Sequence, residues 1–186
     1  MVPRDPDAAA IEPWFIATEQ FGPGSGDAWN NYVAWSGLSQ LNELVSLDEN
    51  LCPTVLPDIP DHYWPHIVNE NYMLRYFRDL GFLLKEVDHL AAKNVLCIFR
   101  DPPVHPTSAI PGFRFLGYDL IDCQGCVSAL SNCGGFPDVF AGSELSEHGL
   151  LTSHMRAVRV QAGLRERHPG EHHADCHCWA IFRLER

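Results

Sequence analysis

At 186 residues and 46% hydrophobic, the chain is long enough for one well-buried core and short for two, and its aromatic content of 11% excludes a largely disordered protein. A formal net charge of −11 argues against binding to nucleic acid or anionic lipid through a basic surface. The charge is lopsided: residues 1–60 carry nine acids and one base, Arg4, whereas residues 154–186 carry six arginines against four acids.

The segment from Met1 to Pro13 holds three prolines and three consecutive alanines, and the expectation is a flexible arm over residues 1–13. It is polar and acidic and lacks the apolar stretch of a secretory signal. No apolar run approaches the length of a membrane span. Seven cysteines, an odd number, then point to thiols or metal ligands in a reducing compartment. The expectation is a cytoplasmic protein with residues 14–186 as a single domain.

Trp14 to Thr18 is apolar and β-prone and predicts a first strand. The glycines and proline between Phe21 and Asp27 deny both helix and ladder, so a loop follows. Trp29 to Leu47 is ambiguous, with helical spacing at Leu38, Leu41, Leu44 and Val45 but a strand-like run at Tyr32 to Trp35. Four prolines from Pro53 to Pro65 break regular structure. Met73, Phe77, Leu80, Leu84 and Val87 form one apolar stripe and predict a long helix over Val68 to Val87. Val95 to Phe99 is a strand stopped by Asp101-Pro102-Pro103. Phe113 to Ile121 and Val127 to Leu130 predict two strands joined by a hairpin at Asp122 to Gly125. Ser153 can cap a helix to about His168 with Met155, Val158 and Ala162 inward, and Cys176 to Leu184 is a closing strand. Hairpin-joined strands imply antiparallel pairing, so the fold class expected is α+β, a largely antiparallel central sheet with two main helices on one face.

Two cysteine clusters carry candidate chemistry. Cys123-x-x-Cys126 in the predicted turn has the spacing of half a tetrahedral zinc site, which His173 and Cys176, or Cys176 and Cys178, could complete. Against this, Cys176, Cys178, Ala180, Phe182 and Leu184 alternate onto one strand face, which reads as apolar core. Ser131-Asn-Cys-Gly-Gly-Phe-Pro137 offers Cys133 as a nucleophile, with His173 as base and Asp175 as orienter. The bland alternative is a sharp turn in which Gly134 and Gly135 supply positive φ. The expectation is a protein without cofactor, with zinc as the alternative.

The N-terminal third combines acids with Trp14, Trp29 and Trp35. Aromatic anchors in a negative field suit docking to a basic partner, because charge steers the encounter and rings supply contact area. Asp27, Trp29, Trp35, Asp48, Glu49 and Asp58 are the candidate interface, since they fall in or beside irregular stretches. The competing reading is a solvated, solubilising face.

The last third carries Gly117-Tyr-Asp-Leu-Ile-Asp122, Ser131-Asn-Cys-Gly-Gly-Phe-Pro137, Glu144-Leu145, Gly149-Leu150, and His173-Ala174 with Trp179-Ala180-Ile181. Over residues 113–186 this pattern resembles small uncharacterised bacterial proteins, some encoded beside polymorphic toxins and regarded as their immunity proteins. The resemblance implies a neutralising binder with no active site. Function is therefore expected to be protein binding, as an immunity-type inhibitor of a basic toxin or enzyme. The alternative is a small cysteine- or zinc-dependent hydrolase using Cys133 and His173.

Overall fold

The apolar runs of the sequence become the strands β1 (Trp14–Glu19), β4 (Lys93–Arg100), β5 (Phe113–Ile121) and β6 (His177–Leu184), with two short strands, β2 (Ile67–Val68) and β3 (Tyr76–Phe77), between the first two. The structure is a computed structural model that describes residues 12–56, 58, 60–68, 75–91, 93–106, 110–123 and 126–185. Most of the expected arm lies outside the described residues. The strands form one sheet in the order β2-β3-β1-β4-β6-β5, with every neighbouring pair antiparallel. The fold is α+β.

Both faces of the sheet are buried, which is why β1, β4 and β6 read as continuous apolar runs. Phe15, Ala17, Cys97, Phe99, Cys178, Ala180 and Phe182 point to one face. There they meet α2 (Leu80–Val87), through Leu83 and Val87, and α3 (His154–Arg167), through Ala157, Val160 and Leu164. Ile16, Leu96, Ile98, Trp179 and Ile181 point to the other face, where Val45, Leu47, Cys126 and Leu150 cover them from loops. Cys178 is thus an inward strand residue, as the alternation predicts, and Cys176, just ahead of β6, is buried on the same face. No helix among the described residues is long and apolar enough to cross a membrane.

Four sequence expectations change. The ambiguous segment contains α1 (Asp27–Ser36), which Gly37 ends in the left-handed conformation (φ 69°). Leu38, Leu41, Leu44 and Val45 are all buried, but outside any helix. The long helix shrinks to α2, capped by Asp79, whose side chain accepts from the Phe82 N–H at 3.0 Å. Phe77, assigned to its apolar stripe, instead pairs with Phe15 as a strand residue, and Met73 lies outside the described residues. Val127 to Leu130 is not a strand. It touches the edge of β5 through one bridge, Ile121 to Ser128, although the Asp122–Val127 and Ala129–Leu120 backbone bonds retain a hairpin-like return.

The α3 stripe also differs. Ser153 caps the helix as expected, accepting from Arg156 N–H, yet Met155 and Val158 are 63% and 42% exposed. The two stripes, 155/158/162 and 157/160/164, have the same spacing and lie about 200° apart at 3.6 residues per turn, so periodicity alone cannot choose between them. Packing against the sheet chooses, because Ala157, Val160 and Leu164 join the core of the helix-covered face. A Cβ at Gly163 would lie 2.9 Å from Val139 Cγ1, so a side chain at that position would push the helix off the loop beneath it.

One irregularity in β5 decides what faces what. Phe115 pairs with Phe182 and Gly117 with Ile181, so Leu116 is an extra residue, a β-bulge. Without it, Asp119 would share the helix-covered face with Phe113 and Phe115. With it, Tyr118 and Leu120 take that face and Asp119 turns to the other.

Candidate functional site

The C-terminal end of β5, the loop from Cys126 to Phe136 and the 3-10 turn His172–Asp175 come together at one end of the sheet. A buried polar knot holds the first two. Asp119 accepts from the Ser46 hydroxyl at 2.5 Å, the Ser128 hydroxyl at 2.6 Å and the Leu120 N–H at 2.8 Å. Asp48 accepts from the Ser128 N–H at 2.7 Å, the Asn50 N–H at 2.9 Å and the Asn132 amide, at 2.9 and 3.1 Å. Burial raises the pKa of both carboxyls, Asp119 to about 6, against the opposing effect of these donors. Every oxygen is satisfied, so the knot is a staple between the 46–51 and 126–132 loops and the sheet. The Asn132 amide thus ties its loop to Asp48.

This placement corrects the expected interface. Asp48 is fully buried and Trp29 is buried against Phe21 and Tyr32, so neither reaches a partner. Glu49 is half-buried and accepts from the Thr54 N–H. Asp27, Trp35 and Asp58 remain exposed.

The proposed catalytic residues are only partly gathered. Cys133 and His173 line one cavity of about 510 Å³ with Asn132, Phe136 and His172. Asp175 is exposed and is not part of that lining; the carboxylate beside His173 is Asp122. The Cys133 thiol donates to the Ala129 carbonyl at 3.0 Å, and burial pushes its pKa up to about 11. A nucleophilic cysteine needs the opposite shift. Cys133 alkylation near pH 7 is expected to be slower than that of free cysteine, and Cys133→Ser to change stability by about 0.5 kcal/mol or less. Rapid alkylation at neutral pH would restore the nucleophile.

The cysteine ligand set does not converge. Cys126 (φ 53°) is buried with the second-face core, while Cys123 stays exposed and its thiol donates to the Asp175 carbonyl. Cys176 is buried on the helix-covered face, and burial pushes its pKa up to about 12. Among the described residues, one set of three ligand-type side chains does converge: Asp122, His172 and His173 offer atoms within 4.8 Å of one another. His172 Nε2 and His173 Nδ1 stand 3.8 and 3.9 Å from Asp122 Oδ2. Burial, with His172 beside it, lowers the His173 pKa to about 4, so its imidazole is neutral at pH 7. The sequence places His172 and His173 side by side, but nothing local pairs them with Asp122. The adjacent His172-His173 pair was the available signal.

A second recess, about 340 Å³, opens beside α1 and is lined by Trp35, Leu38, Leu130, Phe136 and Phe140. Trp35 is 57% exposed at the last turn of the helix. Tyr32 fixes that helix through its hydroxyl, which donates to the Ser131 carbonyl at 2.9 Å. Gly134 and Gly135, with φ 74° and 84°, shape the opposite wall, as the turn reading expects. Asp27 is exposed at the start of the same helix, and Asp138 lies within the lining loop, close to His168.

The chain matches no family model, no curated protein sequence and no solved structure.

Proposed function

We propose that this chain is a cytoplasmic protein-binding module, an immunity-type inhibitor that docks a basic toxin or enzyme through the Trp35 recess. The observation that carries the reading is Trp35 itself: a large, half-exposed ring at the wall of an apolar recess, on a molecule of net charge −11. A lone exposed tryptophan needs no explanation, but one bordering a concave apolar surface is the usual form of an interface anchor. The partner is one that presents an apolar side chain ringed by lysines or arginines. The resemblance of residues 113–186 to proteins regarded as immunity proteins supplies the partner class. The hydrolase alternative is less well supported, because Cys133 is a hydrogen-bonded thiol with a raised pKa.

Co-expression with a cognate basic toxin is expected to protect the host cell, and Cys133→Ala is expected to protect equally. Trp35→Ala should speed dissociation by about 30-fold, the equivalent of a hot spot worth about 2 kcal/mol. Association should slow steeply as salt rises, since exposed charges are screened within about 10 Å at 0.1 M. A salt-insensitive complex that tolerates Trp35→Ala would place the interface elsewhere.

A further inference from the structure

We propose that Asp122, His172 and His173 form a binding site for a divalent transition-metal ion of the zinc class, with open coordination positions facing the cavity that Asn132 and Cys133 line. The site is independent of the Trp35 recess and of the binding reading built on it.

The donor set is two imidazoles and one carboxylate, the N/O combination that borderline metals take. Asp122 is buried and oriented, its Oδ2 accepting from the Val127 N–H at 3.1 Å. His173 is 1% exposed, and both of its ring nitrogens are buried without a hydrogen-bond partner. A buried imidazole with both nitrogens unsatisfied carries a desolvation cost that calls for an explanation. An Asp–His hydrogen bond does not supply it, because 3.8 and 3.9 Å exceed the range of 2.7–3.2 Å for such bonds. Those separations are instead close to the edge of a coordination polyhedron. With metal–ligand bonds of about 2.0–2.1 Å, tetrahedral ligands stand about 3.4 Å apart. Both separations exceed that edge by about half an ångström. Rotation of the exposed His172 ring on the short turn closes the first, and a small shift of that turn toward β5 on binding closes the second.

Three protein ligands leave the ion with vacant positions, the arrangement of an open site and not of a closed structural one. The adjoining cavity, about 510 Å³, is where water or a small anion would complete the shell. An ion here would also clip the 172–175 turn to the end of β5, so occupancy should stabilise the fold.

The test is titration of chelator-treated, tag-free protein with zinc sulfate by calorimetry, and with cobalt(II) by absorption, at pH 7.5. One ion per chain is expected, with a rise in melting temperature on binding. His172→Ala, which removes an exposed ring and should not unfold the chain, is expected to weaken zinc by at least about tenfold, since even outer-shell changes cost that much. The Cys123→Ser/Cys126→Ser double variant should bind as the wild type does. Cobalt should show d–d bands without thiolate-to-metal charge transfer. Absence of binding, unchanged affinity in His172→Ala, or a charge-transfer band from a cysteine ligand would each overturn the assignment.

Discussion

Asp119→Ala is expected to cost about 3–5 kcal/mol, a large share of the 5–15 kcal/mol typical of a folded domain. The side chain is fully enclosed and takes three short hydrogen bonds, from Ser46, Ser128 and Leu120. Truncation strands two hydroxyls and an N–H in the core and leaves a cavity. It also frees the 46–51 loop from the sheet. Denaturant titration measures the loss; a cost below about 1 kcal/mol would mean that the knot is not a staple.

Asp119→Asn separates charge from shape. Burial raises the folded carboxyl from an ordinary 3.8 to about 6, so between those values the folded state holds a proton that the unfolded state has released. Stability is therefore expected to fall as pH rises from about 4 to about 6 and to level off above, and Asp119→Asn should flatten that slope. Glu43 acts in the opposite direction and in a lower window. Contacts with His148 and Arg183 lower its pKa from 4.5 to about 2, and its contribution is lost as pH falls between those values. Melting temperatures from pH 2 to 7 distinguish the two, and an unchanged slope in Asp119→Asn would exclude Asp119 as the source.

Gly117→Ala is expected to be nearly as damaging, at about 2–4 kcal/mol and a fall of about 5–15 °C in Tm. Its φ is 153°, at the edge of the region that only glycine visits freely. A Cβ there would come within 2.6 Å of Leu150 Cβ and 2.9 Å of the Leu151 carbonyl oxygen. Neither atom is the loose end of a side chain. Leu151 is held by paired backbone bonds to Tyr118, at 2.7 and 3.0 Å. The same bulge aims Asp119, so the substitution should loosen the polar knot as well. Gly134→Ala is the control. It has positive φ (74°) but open space around it, so only the conformational penalty of about 1 kcal/mol applies. Equal effects at the two positions would mean that crowding at Gly117 is relieved by a backbone shift.

The long strands and the fold class are legible in the residues alone. Four runs of apolar residues, ended by glycine, proline or charge, have few alternatives in a chain of this length, and the alternation from Cys176 to Leu184 already assigned Cys176 and Cys178 to the core. Ser153 as a cap was equally local, because capping depends on one side chain and the N–H three residues ahead of it. The glycines at 134 and 135 belong with these: a turn needs positive φ wherever it occurs.

Tertiary structure decided the rest, and in each case the deciding contact lies far along the chain. Asp48 appeared as a surface acid because charge is usually solvated; its burial depends on Ser128 and Asn132, 80 and 84 residues away. Two stripes on α3 had equal periodicity, and the choice between them came from packing against the sheet. The Val68 to Val87 helix gave way where Phe77 found Phe15 as a strand partner. Asp122 became the neighbour of His172 and His173 because β5 and the 172–175 turn end at the same corner of the sheet. Local spacing encodes capping, turn and alternation energies. It carries no information about which distant donor will meet a carboxylate, and that is what separates a solvated acid from a buried staple or a ligand.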